Sequence, residues 1–370
     1  PGQDIVAGKA RVLVGVFHLG NGQVLNRNHR LHAGVGFGLA GIGMLAGLLV
    51  FLWGQKYLDG KAEPPNPEAL KKSFLGPINV EMACYLAGAL VIGVAMLLVM
   101  NAEVIPDWFV GSLGIAIFVG LVGYSFMQLQ GTERKRMFAA IYFVLAQIPF
   151  WALFEQAGSS LTLFTDRLVD KEMFGINVPT PVFQFLNAGY IVIFAPIFAW
   201  MWIALSKRKM EPSTPVKFAI GVFLAGLGFL SLVGGIGMSG AGMTAVGFIF
   251  LIYWVHTMGE LMVSPVGLSA VTKLAPARVV GMTMGAWFLY SGLSNYLAGV
   301  IARTTGAETI GGQITDVAAA KATYVSVYAN VGYVAMGIGV FMLLISPIIK
   351  SWMKGSELPA ESSMVSDEMF

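Results

Sequence analysis

Two acidic residues stand where acids are rare. Glu155 lies in Phe150–Ser160, FWALFEQAGSS, inside an apolar run that begins at Met137, and no basic residue neighbours it. Glu260 lies in His256–Leu268, HTMGELMVSPVGL, and is the one other acid inside a long apolar run. A charge at membrane depth costs about 3 kcal/mol on insertion scales, so such a residue faces a cavity, a partner charge or a proton path. Burial favours a neutral carboxyl group and a nearby cation favours the charged one. A carboxylate poised between the two can load and release a proton. The structural alternative is a protonated glutamate hydrogen-bonded between helices, or one facing a functionless water pocket.

Other polar groups surround these two acids in the sequence. His256 precedes Glu260 by four residues, on the same helical face. It could relay protons to Glu260, or simply donate to a neighbouring helix. Asn187, in QFLNAGY, reads as an interhelical hydrogen bond or as a substrate contact. Trp287 and Phe288, in GAWFLYSGLSNY, sit mid-depth, away from the interfacial belts where tryptophan concentrates. They pack or they line a pocket. Pro149, Pro196 and Pro265 interrupt spans that carry these polar residues, and proline bends a helix by removing a donor. Bent helices around a midplane site are a transporter feature. Ser264 and His256 cannot form a hydrolase pair, because i,i+8 separates them by about 12 Å along a helix axis. No phosphate loop or metal-ligand spacing occurs, so an enzyme and a metal site are both rejected.

The elements that must position these residues are membrane helices. The chain is 56% hydrophobic and only 12% charged, half the charge of a soluble domain. Its basic residues are scattered over short loops, which excludes nucleic acid as a partner. The single cysteine, Cys84, rules out an intrachain disulfide. Nine runs reach the roughly 20 residues that cross a bilayer. They cover 33–53, 82–100, 108–129, 137–165, 180–205, 218–237, 243–271, 279–302 and 322–349. The long uncharged stretch from Phe218 to Gly259 is divided at Gly234–Gly240, a glycine-rich turn. No Lys or Arg falls inside these nine runs.

Alternate loops carry 15 and 8 basic residues. The richer set, which includes the C-terminus, is placed in the cytoplasm by the positive-inside rule. The organisation expected is a mixed segment at 1–31, a span at 32–58, a flexible proline-bearing cytoplasmic linker at 59–81, a helix hairpin at 82–130, a six-helix bundle at 131–353 and a polar cytoplasmic tail at 354–370. His18, His29 and His32 in the first segment receive no role. A first span running inward from outside, and glutamates without basic partners, suit the remainder of a larger protein.

At these residues a resemblance becomes specific. Phe154–Ser160 is similar to the FEQxGSS signature of the proton-dependent oligopeptide transporter family. Gly259–Leu268 resembles its GELxxSPxGL motif, and Val271–Pro276 continues the likeness. The similarity covers roughly 32–352. The resemblance implies an all-α integral membrane protein of the major facilitator fold, two six-helix bundles around a central cavity with two inserted helices between them. It implies that the first span is the last helix of an N-terminal bundle missing from this chain. It further implies symport of di- or tripeptides with protons across the cytoplasmic (inner) membrane by alternating access, with the proton as coupling ion and no other cofactor. Substrate-binding residues would be Glu260 for the peptide amino terminus, with Asn187, Trp287, Ser264 and Phe288. Glu155 would couple to protons, together with Glu260 and His256. Ala188 stands where the family often has proline, and no ExxER motif occurs. The fragment alone is expected to be inactive. The alternatives are a relative carrying another anion or peptide-like solute, or a non-transporting remnant.

Overall fold

The computed structural model describes residues 27–57, 66–100, 107–306, 309–310, 313–314 and 316–354. The expectations for most of residues 1–31, for His18, for the first part of the linker up to 65, for the connection of the helix hairpin at 101–106 and for the tail beyond 354 fall outside them. The chain divides into two compact units, Pro1–Pro106 and Asp107–Phe370.

In the first unit, helix α1 spans Arg27–Gly54. A short helix α2, Pro67–Lys71, follows. Its start is fixed by Asn66, whose side chain accepts from Ala69 N at 3.1 Å, and by Pro67 at the first helical position. Ser73–Leu75 then pairs antiparallel with Ile78–Asn79 about Gly76, where φ is +57°. The segment expected to be a flexible linker thus holds a capped helix turn and a small hairpin over 66–79. Its prolines and glycine set turn geometry there rather than preventing order. Helix α3, Val80–Met100, closes the unit.

The second unit holds α4 (Asp107–Gln128), α5 (Gly131–Phe154), α6 (Ser160–Leu168), α7 (Thr180–Phe183), α8 (Phe185–Lys207), α9 (Thr214–Met238), α10 (Gly247–Leu274), α11 (Val280–Thr304) and α12 (Val317–Trp352). Helices therefore occur at all nine expected runs. Among the described residues, seven segments are long and apolar enough to cross a membrane, Gly131–Leu168 counting as one. The helices over 33–53 and 279–302 are not among those seven; α11 is diluted by Thr283, Ser291, Ser294 and Asn295. The helix before the glycine-rich division ends at Met238, next to the expected bound of 237, and the turn takes up only the last part of Gly234–Gly240. α9 continues through Gly234 and Gly237 to Met238, and the chain turns at Ser239–Gly242 with Gly240 at φ +53°.

α9 is the inner pillar of this unit. Its Gly226 carbon faces Gly332 O of α12 so closely that a Cβ would come to 2.4 Å. On its other side a Cβ at Gly221 would meet Gly259 O of α10 at 2.9 Å. Small residues let membrane helices approach backbone to backbone, because packing and not water exclusion drives their association. Phe218, Val222, Ala225, Phe229 and Leu232 fill the space around this pillar, all buried. α4 belongs to the same unit: Tyr290 of α11 donates to Gly114 O at 2.9 Å, and Arg278 reaches Tyr124 at 2.8 Å and Glu133 at 3.3 Å.

Among the described residues two lysines are buried, Lys217 and Lys321, both in helical turns just outside the expected runs. Lys217, in the first turn of α9, pairs with Glu211 at 2.5 Å and sits 4.1 Å from the Trp202 ring centre. Lys321 of α12 donates to Ser239 Oγ at 2.7 Å, to Gly240 O at 3.0 Å and to Gly242 O. It thereby serves carbonyls around the end of α9, which have no helical partner. Both cations are used up locally.

Gly226→Val should lower the thermal stability of the purified protein by about 1–3 kcal/mol through overpacking. Gly234→Ala, where a Cβ meets nothing within 4 Å, should leave the melting temperature unchanged. Equal melting temperatures for both variants would contradict the close α9–α12 contact.

Candidate functional site

Glu155 does not lie on a regular helix. α5 ends at Phe154, and Glu155–Gly158 forms a single 3-10 turn before α6 resumes at Ser160. The turn leaves carbonyls that the α-helical ladder no longer serves, and inside a membrane each would cost several kcal/mol if unmet. The sequence supplies the donors itself. Ser159 Oγ donates to Glu155 O at 3.3 Å, Thr162 Oγ1 to Ala157 O at 2.5 Å and Gln156 Nε2 to Ala152 O at 3.0 Å. The half-buried Glu155 carboxyl group has no hydrogen-bond partner among the described residues.

Glu260 lies on α10, which runs without interruption through Pro265. Asn187, on α8, donates through Nδ2 to Glu260 Oε2 at 2.8 Å and to Thr257 Oγ1 at 3.2 Å. Thr257 is fully buried and donates in turn to Tyr253 O at 2.7 Å. The amide is thus held in one orientation, since its nitrogen faces two acceptors. Glu155 and Glu260 lie within electrostatic range of each other. Beside them opens a cleft lined by Phe154, Ala157, Gly158, Gln184, Asn187, Tyr253 and His256.

The other residues singled out in the sequence take distinct places. His256 is buried, and its Nε2 lies 3.0 Å from Ala225 O of α9. A carbonyl only accepts, so Nε2 carries the proton. The ring lies between Phe154 and Phe229, with centroids at 6.2 and 5.2 Å. This is the interhelical bond that formed one of its two readings, although the ring also borders the cleft. Ser264 is half-buried, one turn beyond Glu260 on the same face. Trp287 is 3% exposed and packs on Phe218 and over Gly267, away from the cleft. Phe288, its neighbour in sequence, is 63% exposed. Successive helical residues point about 100° apart, so the pair divides between interior and surface.

Three groups escaped attention as individuals. Thr257 shares Asn187 with Glu260, and its i−3 spacing from that acid was the available signal. Gln147, fully buried in α5, donates to Trp287 O at 2.9 Å and accepts from Ser291 at 3.2 Å. Gln156, also fully buried, bonds to α11 as well as to its own helix.

The POT family profile matches residues 33–317. YclF of Bacillus subtilis, described as an uncharacterized transporter, is 33% identical over 339 residues, which cover 90% of this chain and 63% of that protein. The peptide transporter YePEPT of Yersinia enterocolitica is 32% identical, over 75% of this chain and 56% of its own length. Among solved structures, a Glu-to-Gln variant of a POT peptide transporter in complex with alafosfalin superposes with a TM-score of 0.66 at 31% identity. That match covers 95% of this chain and 67% of the other. The chain spans less than two thirds of the length of the two curated relatives.

A Cβ on Gly267 would lie 2.3 Å from Trp287 Cη2 and 2.8 Å from Phe218. Gly267→Ala should therefore displace Trp287, costing about 1–3 kcal/mol of stability and shifting tryptophan emission. A variant with wild-type melting temperature and emission would place Trp287 outside the packed interior.

Proposed function

The chain belongs to the POT family, and on that premise we propose that it forms part of a symporter that carries di- and tripeptides inward with protons by alternating access. The observation that carries this reading is the 2.8 Å bond from Asn187 to Glu260 beside the Glu155 break. Asn187 occupies one oxygen of Glu260. The other oxygen remains for an ammonium group, which has three donors and no acceptor. A peptide amino terminus supplies such a group. The names of relatives fit: they include a peptide transporter and dipeptide and tripeptide permeases.

Proton coupling follows from the second acid. Two carboxylates within range repel when both are ionised, and that repulsion grows as water is excluded. A proton on Glu155 or an ammonium on Glu260 relieves it. Each also removes a charge that is costly to close away from water, so each favours the closed cavity and, through that closure, the binding of the other, which is the linkage that symport requires. We assign Glu260, Asn187 and the half-buried Ser264 to the peptide amino terminus, and Glu155 to the coupling proton. His256, tied to Ala225 O, holds α9 and α10 together beneath the cleft. Trp287 and Phe288 are assigned to the substrate cavity only as it changes shape, because the described state has one packed and one outward. A second helical bundle completes the cavity and supplies the cationic partners. The cytoplasmic membrane is the site of action, with the C-terminus in the cytoplasm on the evidence of loop charge.

Both acids can be tested by peptide uptake in vesicles containing the transporter. Glu260→Gln should reduce both proton-driven accumulation and peptide exchange at least tenfold, with an unchanged melting temperature. Wild-type uptake in that variant would remove Glu260 from the site. Glu155→Gln should abolish accumulation driven by a pH gradient and retain exchange of peptide across the membrane. Preserved accumulation would reject the coupling role.

A further inference from the structure

The polar side chains around the break do more than satisfy carbonyls. Gln156 is fully buried, and each of its amide protons has an acceptor: Ala152 O on its own helix and Ala298 O on α11, both at 3.0 Å. Its Oε1 accepts from Ser160 Oγ at 2.6 Å, across the 3-10 turn. Ser160, also fully buried, accepts from the hydroxyl of Tyr328 on α12 at 3.1 Å. Tyr328 is itself fully buried between Phe164 and Phe229, with ring centres at 6.1 and 4.8 Å.

This chain of bonds has one feasible polarity. Both neighbours of Nε2 are carbonyls, which only accept, so the amide cannot flip. Oε1 is then an acceptor, Ser160 must donate to it, and Tyr328 must donate to Ser160. A buried network in which every member is served rigidifies its surroundings, whereas a half-served one is costly. The network joins α5 to α6 across the break and fixes both to α11 and α12. Gln156 is adjacent to Glu155 in the turn, so holding one side chain inward toward α11 sets where the other points. Within the motif FEQAGSSLT, Glu155 is the one charged side chain, and among the described residues it is the polar side chain of the motif to which no hydrogen-bond partner is assigned.

We infer that Gln156 is the positioning residue for Glu155, and that Gln156, Ser160 and Tyr328 together form a lock that keeps the half-buried Glu155 side chain out of the packing against α11 and α12. The lock is a property of the turn and does not depend on what Glu155 does. Its consequence for transport does rest on the function proposed above. Loosening the lock should disorder the direction of Glu155 without removing any group that contacts peptide or proton.

Accessibility at position 155 tests the lock directly, in the membrane-inserted protein. With Cys84→Ser as background and Glu155→Cys as reporter, a water-soluble maleimide labels the new thiol at a measurable rate. Ser160→Ala and Tyr328→Phe each delete one hydroxyl and are expected to fold, and Gln156→Leu deletes the whole node at similar volume. The expected result is a graded change in labelling rate at 155: largest, about tenfold, for Gln156→Leu, and smaller for the two hydroxyl deletions. A thiol introduced by Gly158→Cys in the same turn, which also borders the cleft, should change less than twofold. If the labelling rate at 155 stays within twofold of the reference in Ser160→Ala and Tyr328→Phe, whatever their melting temperatures, the lock is merely structural and the inference is wrong. Should Gln156→Leu fail to fold, these two variants decide the matter alone. A parallel uptake measurement on Ser160→Ala with Glu155 intact should lower proton-driven accumulation more than peptide exchange. If labelling changes and this split is absent, the coupling role of Glu155 fails and the lock stands.

Discussion

Inside the hydrocarbon layer a backbone group has no water to fall back on, and the structure depends on how this constraint is met at one place. The helical ladder is broken at Glu155–Gly158 within a stretch long enough to span the membrane. Everything nearby answers that break. Ser159, Thr162 and Gln156 return hydrogen bonds to carbonyls of the same segment. Gln156 and Ser160 carry the network outward to α11 and α12. Remove these donors and the break would have to close into a regular helix, which would turn Glu155 about the helix axis by the accumulated difference between 3.0 and 3.6 residues per turn. The same rule governs Lys321, a cation tolerated in α12 because the turn after α9 offers it carbonyls.

The helices were legible in the sequence because hydropathy over some 20 residues is a strong signal. Their ends were less so. Phe218–Gly259 contains no charge, so only glycine marked the turn, and α9 absorbs Gly234 and Gly237 before stopping. Glycine is permitted in a membrane helix wherever a neighbour comes close, as at Gly226 against α12; its presence alone does not mark an end. The assignment of α4 to the later unit turns on Tyr290 and Arg278, whose partners lie far away in sequence. No local pattern announces such bonds.

For the site, charge was the legible quantity. Glu155 and Glu260 stand out because acids in apolar runs are costly, and Asn187 because an amide there needs a partner. The neutral groups that organise them were harder to see. Thr257, Gln147 and Gln156 are polar without being expensive, and many such residues in membrane helices simply bond to their own backbone. The aromatic pair Trp287 and Phe288 shows a further limit. Both are large aromatics at the same depth, while helical phase buries one and exposes the other. Phase is decided by which neighbouring helix offers space, here the glycine at position 267.

The two acids are mounted differently, and this bears on how they could work together. Glu260 rides on a continuous helix and is gripped by an amide from α8, so its position follows the rigid packing of α8 and α10. Glu155 rides on a turn whose shape is set by side chains, so its position follows the state of that turn. Any rearrangement that swings α6 against α5 moves Glu155 while leaving Glu260 in place. The repulsion between two carboxylates varies inversely with their separation and is strongest where water is excluded. On the function proposed above, a small swing at the turn would change how favourably the pair holds a proton or an ammonium group. The reverse also holds, since neutralising either acid removes a force that acts on the turn. On that proposal, a break stiffened by neutral hydrogen bonds and carrying one acid, with another on a continuous helix, is a physical means for ligand charge and helix geometry to act on each other.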